Sequence, residues 1–227
     1  GLPTAGPGAA LPGETEGASG VLPSAPTPVS ARLMKISAGP VVLGEVVVNR
    51  KAVNASSSPE TAVNYIERES GNIFSYLTRA KTLTRTSNKT IPGIESAMWL
   101  SDGSTAYVRY LSGANFGTIN TYALSASGSG GFFLSQNLAD IAVSPTNVLT
   151  LASGVNGSVA SLVRTDGTRA VAAFTTPLSA IRVSFAGKGQ YLASTKPSGA
   201  LLGDAFLVDS AGRFSRIAGP HSGLVAL

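Results

Sequence analysis

Cysteine is absent from this 227-residue chain, and histidine occurs once, at His221. The first absence excludes a disulfide framework, a thiolate metal site and a cysteine nucleophile. The second excludes a multi-histidine metal centre and leaves any Ser-His-Asp triad a single imidazole to use. That imidazole falls in Gly219-Pro220-His221-Ser222-Gly223, which reads as a turn. No Gly-x-Ser-x-Gly elbow, EF-hand spacing or Gly-rich calcium repeat occurs either. Charged residues make up only 13% of the chain, so disorder throughout is not expected. Long apolar runs are missing too. The early stretch from Pro40 to Val48 is interrupted by Gly44 and Glu45 and falls far short of the roughly 20 residues that span a bilayer. The chain opens at Gly1 without a methionine and reads as a processed form.

What is present is glycine, serine and threonine among short Val, Ile, Tyr and Leu runs, which is an all-β composition. Residues 1–32 differ from the rest. Pro3, Pro7, Pro12, Pro23, Pro26 and Pro28 alternate with Gly and Ala, and the only charges before Arg32 are Glu14 and Glu16. That is the composition of a linker or an extended tail. From Leu33 onward short alternating strands are bounded by Gly, Asn, Asp and Ser, with no helical periodicity.

A loose repeat runs through residues 33–227. Ile94–Gly103 with Ser104–Tyr110, Leu138–Asn147 with Val148–Ala152, and Leu178–Gly189 with Gln190–Ala193 are each an apolar strand, a polar turn and a second apolar strand. Trp99, Val143 and Val183 take equivalent places at a spacing near forty residues. This is the size of a four-stranded propeller blade, which must recur because it buries its faces only against its neighbours. The expected division is 40–88, 91–136, 138–176 and 178–219, with strands near 41–48, 61–67, 71–78 and 81–86 in the first blade. Residues 221–227 read as the start of a fifth blade, and the chain as part of a longer protein. Asp102, Gly103 and Asn147 are the expected structural turn residues, tolerant of positive φ. Asp166-Gly167 reads as another turn, and Trp99 as the core anchor.

Three stretches carry a family resemblance: Thr61–Phe74, Thr84–Ile94 and Trp99–Leu111. They resemble exported WD40-like or TolB-type β-propeller proteins of ultra-small, uncultured bacteria. The likeness spans roughly residues 33–125 and continues beyond only as blade pattern. It implies an all-β propeller of four-stranded antiparallel blades, held by a Pro/Gly-rich linker at the cell surface or outside the cell. Its motifs are structural and bring no catalytic residue. The Trp-Asp dipeptide and Gly-His pair of WD40 repeats are missing.

The remaining chemistry is sparse. Glu67 and Glu69 stand two apart on an expected strand and would share a face; a solvated edge opposed by Arg68 is the bland reading. Ser127–Gly131 lacks a following Lys-Ser/Thr pair and reads as a strand connection, not a phosphate loop. Tyr107, Tyr110, Tyr122, Phe132 and Phe133 read as core. The net charge of +5 comes from scattered Lys and Arg, densest from Arg79 to Lys89, and reads as a solvated strand face. No nucleic-acid partner, metal or cofactor is expected. The expected role is a non-catalytic exported surface protein for structure, adhesion or assembly. Its partner would be a protein or a second copy, engaged through the tail. The alternative is a glycan- or peptide-binding module, and a third reading is a hydrolase or lyase using Asp and Glu.

Overall fold

The computed structural model describes residues 33–51, 58–187, 189–196 and 202–221, with His221 by its backbone alone. The linker stretch 1–32 therefore lies outside the described residues. One compact unit, Lys35–Leu227, carries the described strands.

Among the described residues sixteen strands form four sheets of four. The first sheet holds β1 (Val46–Arg50), β2 (Glu60–Ile66), β3 (Ile73–Leu77) and β4 (Thr82–Arg85). The second holds β5 (Ile94–Trp99), β6 (Thr105–Ser112), β7 (Thr118–Ser125) and β8 (Gly131–Phe133). The third holds β9 (Leu138–Val143), β10 (Asn147–Gly154), β11 (Gly157–Arg164) and β12 (Ala170–Thr176). The fourth holds β13 (Ile181–Gly187), β14 (Gln190–Thr195), β15 (Gly203–Val208) and β16 (Phe214–His221). Each sheet is an antiparallel meander in chain order. The first strands of sheets two, three and four lie side by side, β5 against β9 and β9 against β13. This is the blade arrangement of a β-propeller.

Side-chain alternation explains the stacking. Along β6, Ala106 and Val108 point to sheet one, whereas Tyr107 points to sheet three. Along β10, Val148 joins the core shared with sheet two and Leu149 the core shared with sheet four. Period-two strands thus bury both faces of the middle sheets. Three apolar clusters result, one at each junction between consecutive sheets. Full burial of a residue such as Ile141 or Leu151 contributes roughly 1.5–3 kcal/mol.

Two β-bulges repeat. The ladder of β5 passes from Ile94 to Ser96, skipping Glu95, and that of β9 from Leu138 to Asp140, skipping Ala139. The extra residue turns the strand by one side, so Ile94, Ala97 and Trp99 all face sheet one. Leu138, Ile141 and Val143 likewise face sheet two.

Several expectations are corrected. The first strand is Val46–Arg50 and not 41–48. Val41 and Leu43 instead make isolated bridges to Glu67 and Ser96, and the Ala97 N–H donates to the Leu43 oxygen at 2.8 Å. Gly44, at φ 104°, turns the chain there with the Ala97 carbonyl too close for a Cβ. Strand β13 runs through Ser184–Gly187, so these residues are strand and not turn. The residue matching Trp99 and Val143 is therefore Phe185, not Val183. The three stand near the turn ends of their hairpins, opposite Ala106, Val148 and Tyr191. A slip of two residues keeps a side chain on the same face, so the apolar pattern alone does not reveal it. His221 ends β16, opposite Gly203, and lies in neither a loop nor a fifth blade. Strand β16 is the edge of its sheet, where Pro220 costs no ladder bond. Residues 222–227 lie outside the described residues. Glu67 and Glu69 do not share a strand, because β2 stops at Ile66 and Glu69 sits in the turn that follows.

Candidate functional site

The described turn residues serve the scaffold. Gly103 has φ 71°, and the Asp102 carboxylate accepts from the Ser104 N–H at 2.9 Å and hydroxyl at 2.7 Å. Asp166 does the same for Thr168 beside Gly167, at φ 82°. Asn147 departs from expectation: it is the first residue of β10, and its φ is not positive. Ser144 closes that turn instead. Its N–H and hydroxyl both donate to the Asn147 oxygen at 2.8 Å, and its Oγ accepts the Asn147 N–H at 3.1 Å. Trp99 is half-buried, and its indole N–H donates to the Gly44 oxygen at 3.2 Å, tying β5 to the chain before β1. The largest fully buried side chain is Tyr107. Phe133 lies 61% exposed with its ring against Tyr122 and so is not core. Strand β4, within the basic stretch, is exposed throughout.

Polar side chains from different sheets converge at one cleft of about 270 Å³ beside β9 and β13. Its charged lining is Arg109, Asp140, Arg182 and Lys196, with Ser184 and Ser194 adding hydroxyls. Arg109, on β6, donates through Nη2 to the Leu138 carbonyl of β9. Its buried Nε has no partner. The bulge at Ala139 turns Asp140 toward sheet four, where its Oδ2 accepts the Val183 N–H at 2.9 Å. Arg182 and Ser194 sit opposite one another on β13 and β14. They lie on the face turned away from sheet three, since Val183 and Ala193 between them pack toward it. Arg182 and Lys196 are exposed. The ion pairs among the described residues, Arg213–Asp209 and Arg216–Asp204, lie elsewhere.

Sequence reading missed this group because its members are single charges on separate strands. One signal was present. Ser96, Asp140 and Arg182 each stand three residues before Trp99, Val143 and Phe185, near the turn ends of their strands, so one register row carries all three.

The carboxylates with perturbed acidity lie outside the cleft and are acceptors in turns. Backbone donation from Arg79 holds Glu60 below the usual range, with burial opposing and Ala80, Thr61 and Thr78 adding to the lowering. Hydrogen bonds from Thr168 do so for Asp166, and from Arg213 for Asp209. Such carboxylates stay ionised and hold loops.

No protein-family model and no curated protein matches the chain. In fold it is similar to an oligogalacturonate lyase in complex with manganese, with a TM-score of 0.50 and 12% identity, covering 68% of this chain and 49% of that one. Similarity also extends to the β-propeller domain of the Trilobed protease from Pyrococcus furiosus, with TM-score 0.49, 7% identity and coverage of 77% and 57%. A chain of a nidogen/laminin complex gives TM-score 0.49, 14% identity and coverage of 80% and 66%. This chain spans about half the length of the first solved structures it matches. At such identities the likeness is one of fold. The class is thus an all-β array of four antiparallel propeller blades, and function rests on the residues of this chain.

Proposed function

We propose that the chain is a non-catalytic binding module of an exported protein displayed at the cell surface. The observation that carries this reading is the cleft beside β9 and β13. Side chains from β6, β9, β13 and β14 converge there, as small-ligand sites on rigid scaffolds do. Its one carboxylate, Asp140, accepts the Val183 N–H, which fixes its orientation and suits a positioning group. Export is supported by the linker composition of residues 1–32 and the resemblance to exported propellers. Adhesion and assembly are the roles such a module would serve, with a protein or glycan as partner.

The test is a combined glycan and peptide array with the purified chain, followed by product analysis of every hit. The expected result is saturable binding with the ligand recovered intact. Turnover of a hit, abolished by a single substitution such as Asp140→Asn, would contradict the reading.

A further inference from the structure

The cleft has a marked charge imbalance. Three cations, Arg109, Arg182 and Lys196, face one carboxylate, Asp140, and that carboxylate is already hydrogen-bonded to the Val183 N–H. The cations come from different elements: Arg109 from β6 of sheet two, Arg182 from β13 and Lys196 from just after β14. Arg109 is half-buried, so its field is less screened than that of a surface arginine. Charges of one sign gathered in a concave site attract ligands of the other. The chain as a whole is also basic, at +5.

Two further observations narrow the ligand. Asp140 caps the Val183 N–H at the edge of β13, and that occupies a donor an added peptide strand would need there. The lining also offers the hydroxyls of Ser184 and Ser194, which suits a ligand rich in hydroxyls as well as in charge. The volume, about 270 Å³, is near the small end of ligand sites, roughly 300–1,000 Å³, and limits the ligand to a short segment.

Building on the binding-module reading, we propose that this cleft binds an acidic saccharide, with its carboxylate or sulfate groups on Arg182 and Lys196 and its hydroxyls on Ser184, Ser194 and Asp140. The guanidinium of Arg182 supplies two parallel donors to such a group, and Arg109 contributes through its charge while it holds β9.

The test is calorimetric titration of the full chain with a heparin-derived disaccharide, with neutral cellobiose and triglutamate as the other arms. Arg182→Ala and Lys196→Ala are compared with Arg164→Ala, which removes the same charge from an exposed position on β11 away from the cleft. Circular dichroism confirms folding. Binding of the heparin disaccharide, weakened about tenfold or more by Arg182→Ala, unaffected by Arg164→Ala and falling with added salt, is the expected result. Equal binding of cellobiose, preference for triglutamate, or equal loss in Arg164→Ala would each overturn the proposal. Those outcomes leave the binding-module reading intact, whereas cleavage of the disaccharide would overturn both.

Discussion

The Tyr107 hydroxyl donates to the Thr165 carbonyl oxygen at 2.9 Å, so a side chain of sheet two holds the turn that joins β11 to β12 in sheet three. Phe132 completes the contact: its ring meets Tyr107 edge-on at 6.5 Å and lies against Gly167. Removing the hydroxyl in Tyr107→Phe should cost about 1 kcal/mol. Burial, and secondarily the Asp166 charge, push this phenol up to about 12 from its ordinary 10. The unfolded chain therefore ionises first. The contribution is complete below pH 10 and is lost as the pH rises through about 12. Urea unfolding from pH 8 to 12 should show the gap between wild type and Tyr107→Phe narrowing across that window. Tyr65 and Tyr191 are also raised by burial but are common to both proteins.

Acid should act in the opposite direction. Glu60, Asp166 and Asp209 are held below their ordinary values of 4.5, 3.8 and 3.8 by hydrogen bonds, mainly from Arg79, Thr168 and Arg213. A lowered carboxyl contributes stability that is present above its ordinary value and lost as the pH falls through the lowered one. Unfolding midpoints should fall below pH 4.5, and Asp209→Asn should flatten the lower part of that decline.

Val148 and Leu149 are neighbours on β10 but serve different junctions, with sheets two and four respectively. Leu149→Ala should cost about 2–5 kcal/mol, and Val148→Ala somewhat less. Hydrogen exchange should separate them, with protection lost first at β6–β7 for Val148→Ala and first at β13–β14 for Leu149→Ala.

Gly103 and Gly93 have nearly the same φ, 71° and 73°, but different surroundings. A Cβ on Gly103 would lie 2.6 Å from Val48 Cγ2 and 2.8 Å from Asn64 Nδ2, whereas one on Gly93 meets nothing within 4 Å. Alanine at either position carries backbone strain of about 1–3 kcal/mol. Thermal melts should show Gly103→Ala as the more damaging, because β1 and β2 must also shift.

Blade three was the clearest in the sequence. Its expected limits, 138–176, coincide with the first residue of β9 and the last of β12. Apolar runs there are separated by Ser144-Pro145-Thr146-Asn147, whose chemistry makes a turn. The start of blade one was obscure because Val41–Leu43 is as apolar as a strand yet stitches two sheets together. The cleft was obscure for another reason. Simple alternation from Leu138 would put Asp140 toward sheet two, and only the unpaired Ala139 turns it toward Val183. Bulges leave no mark in a period-two pattern.

Hydrogen-exchange mass spectrometry on the intact chain, with and without a ligand taken from the arrays, tests the central claim most directly. The account predicts protection at Leu138–Ala142, Arg182–Ser184 and Leu192–Thr195, with the ligand recovered unchanged. Protection confined to another surface, such as the β10–β11 hairpin around the exposed Val155, or conversion of the ligand to product, would contradict it.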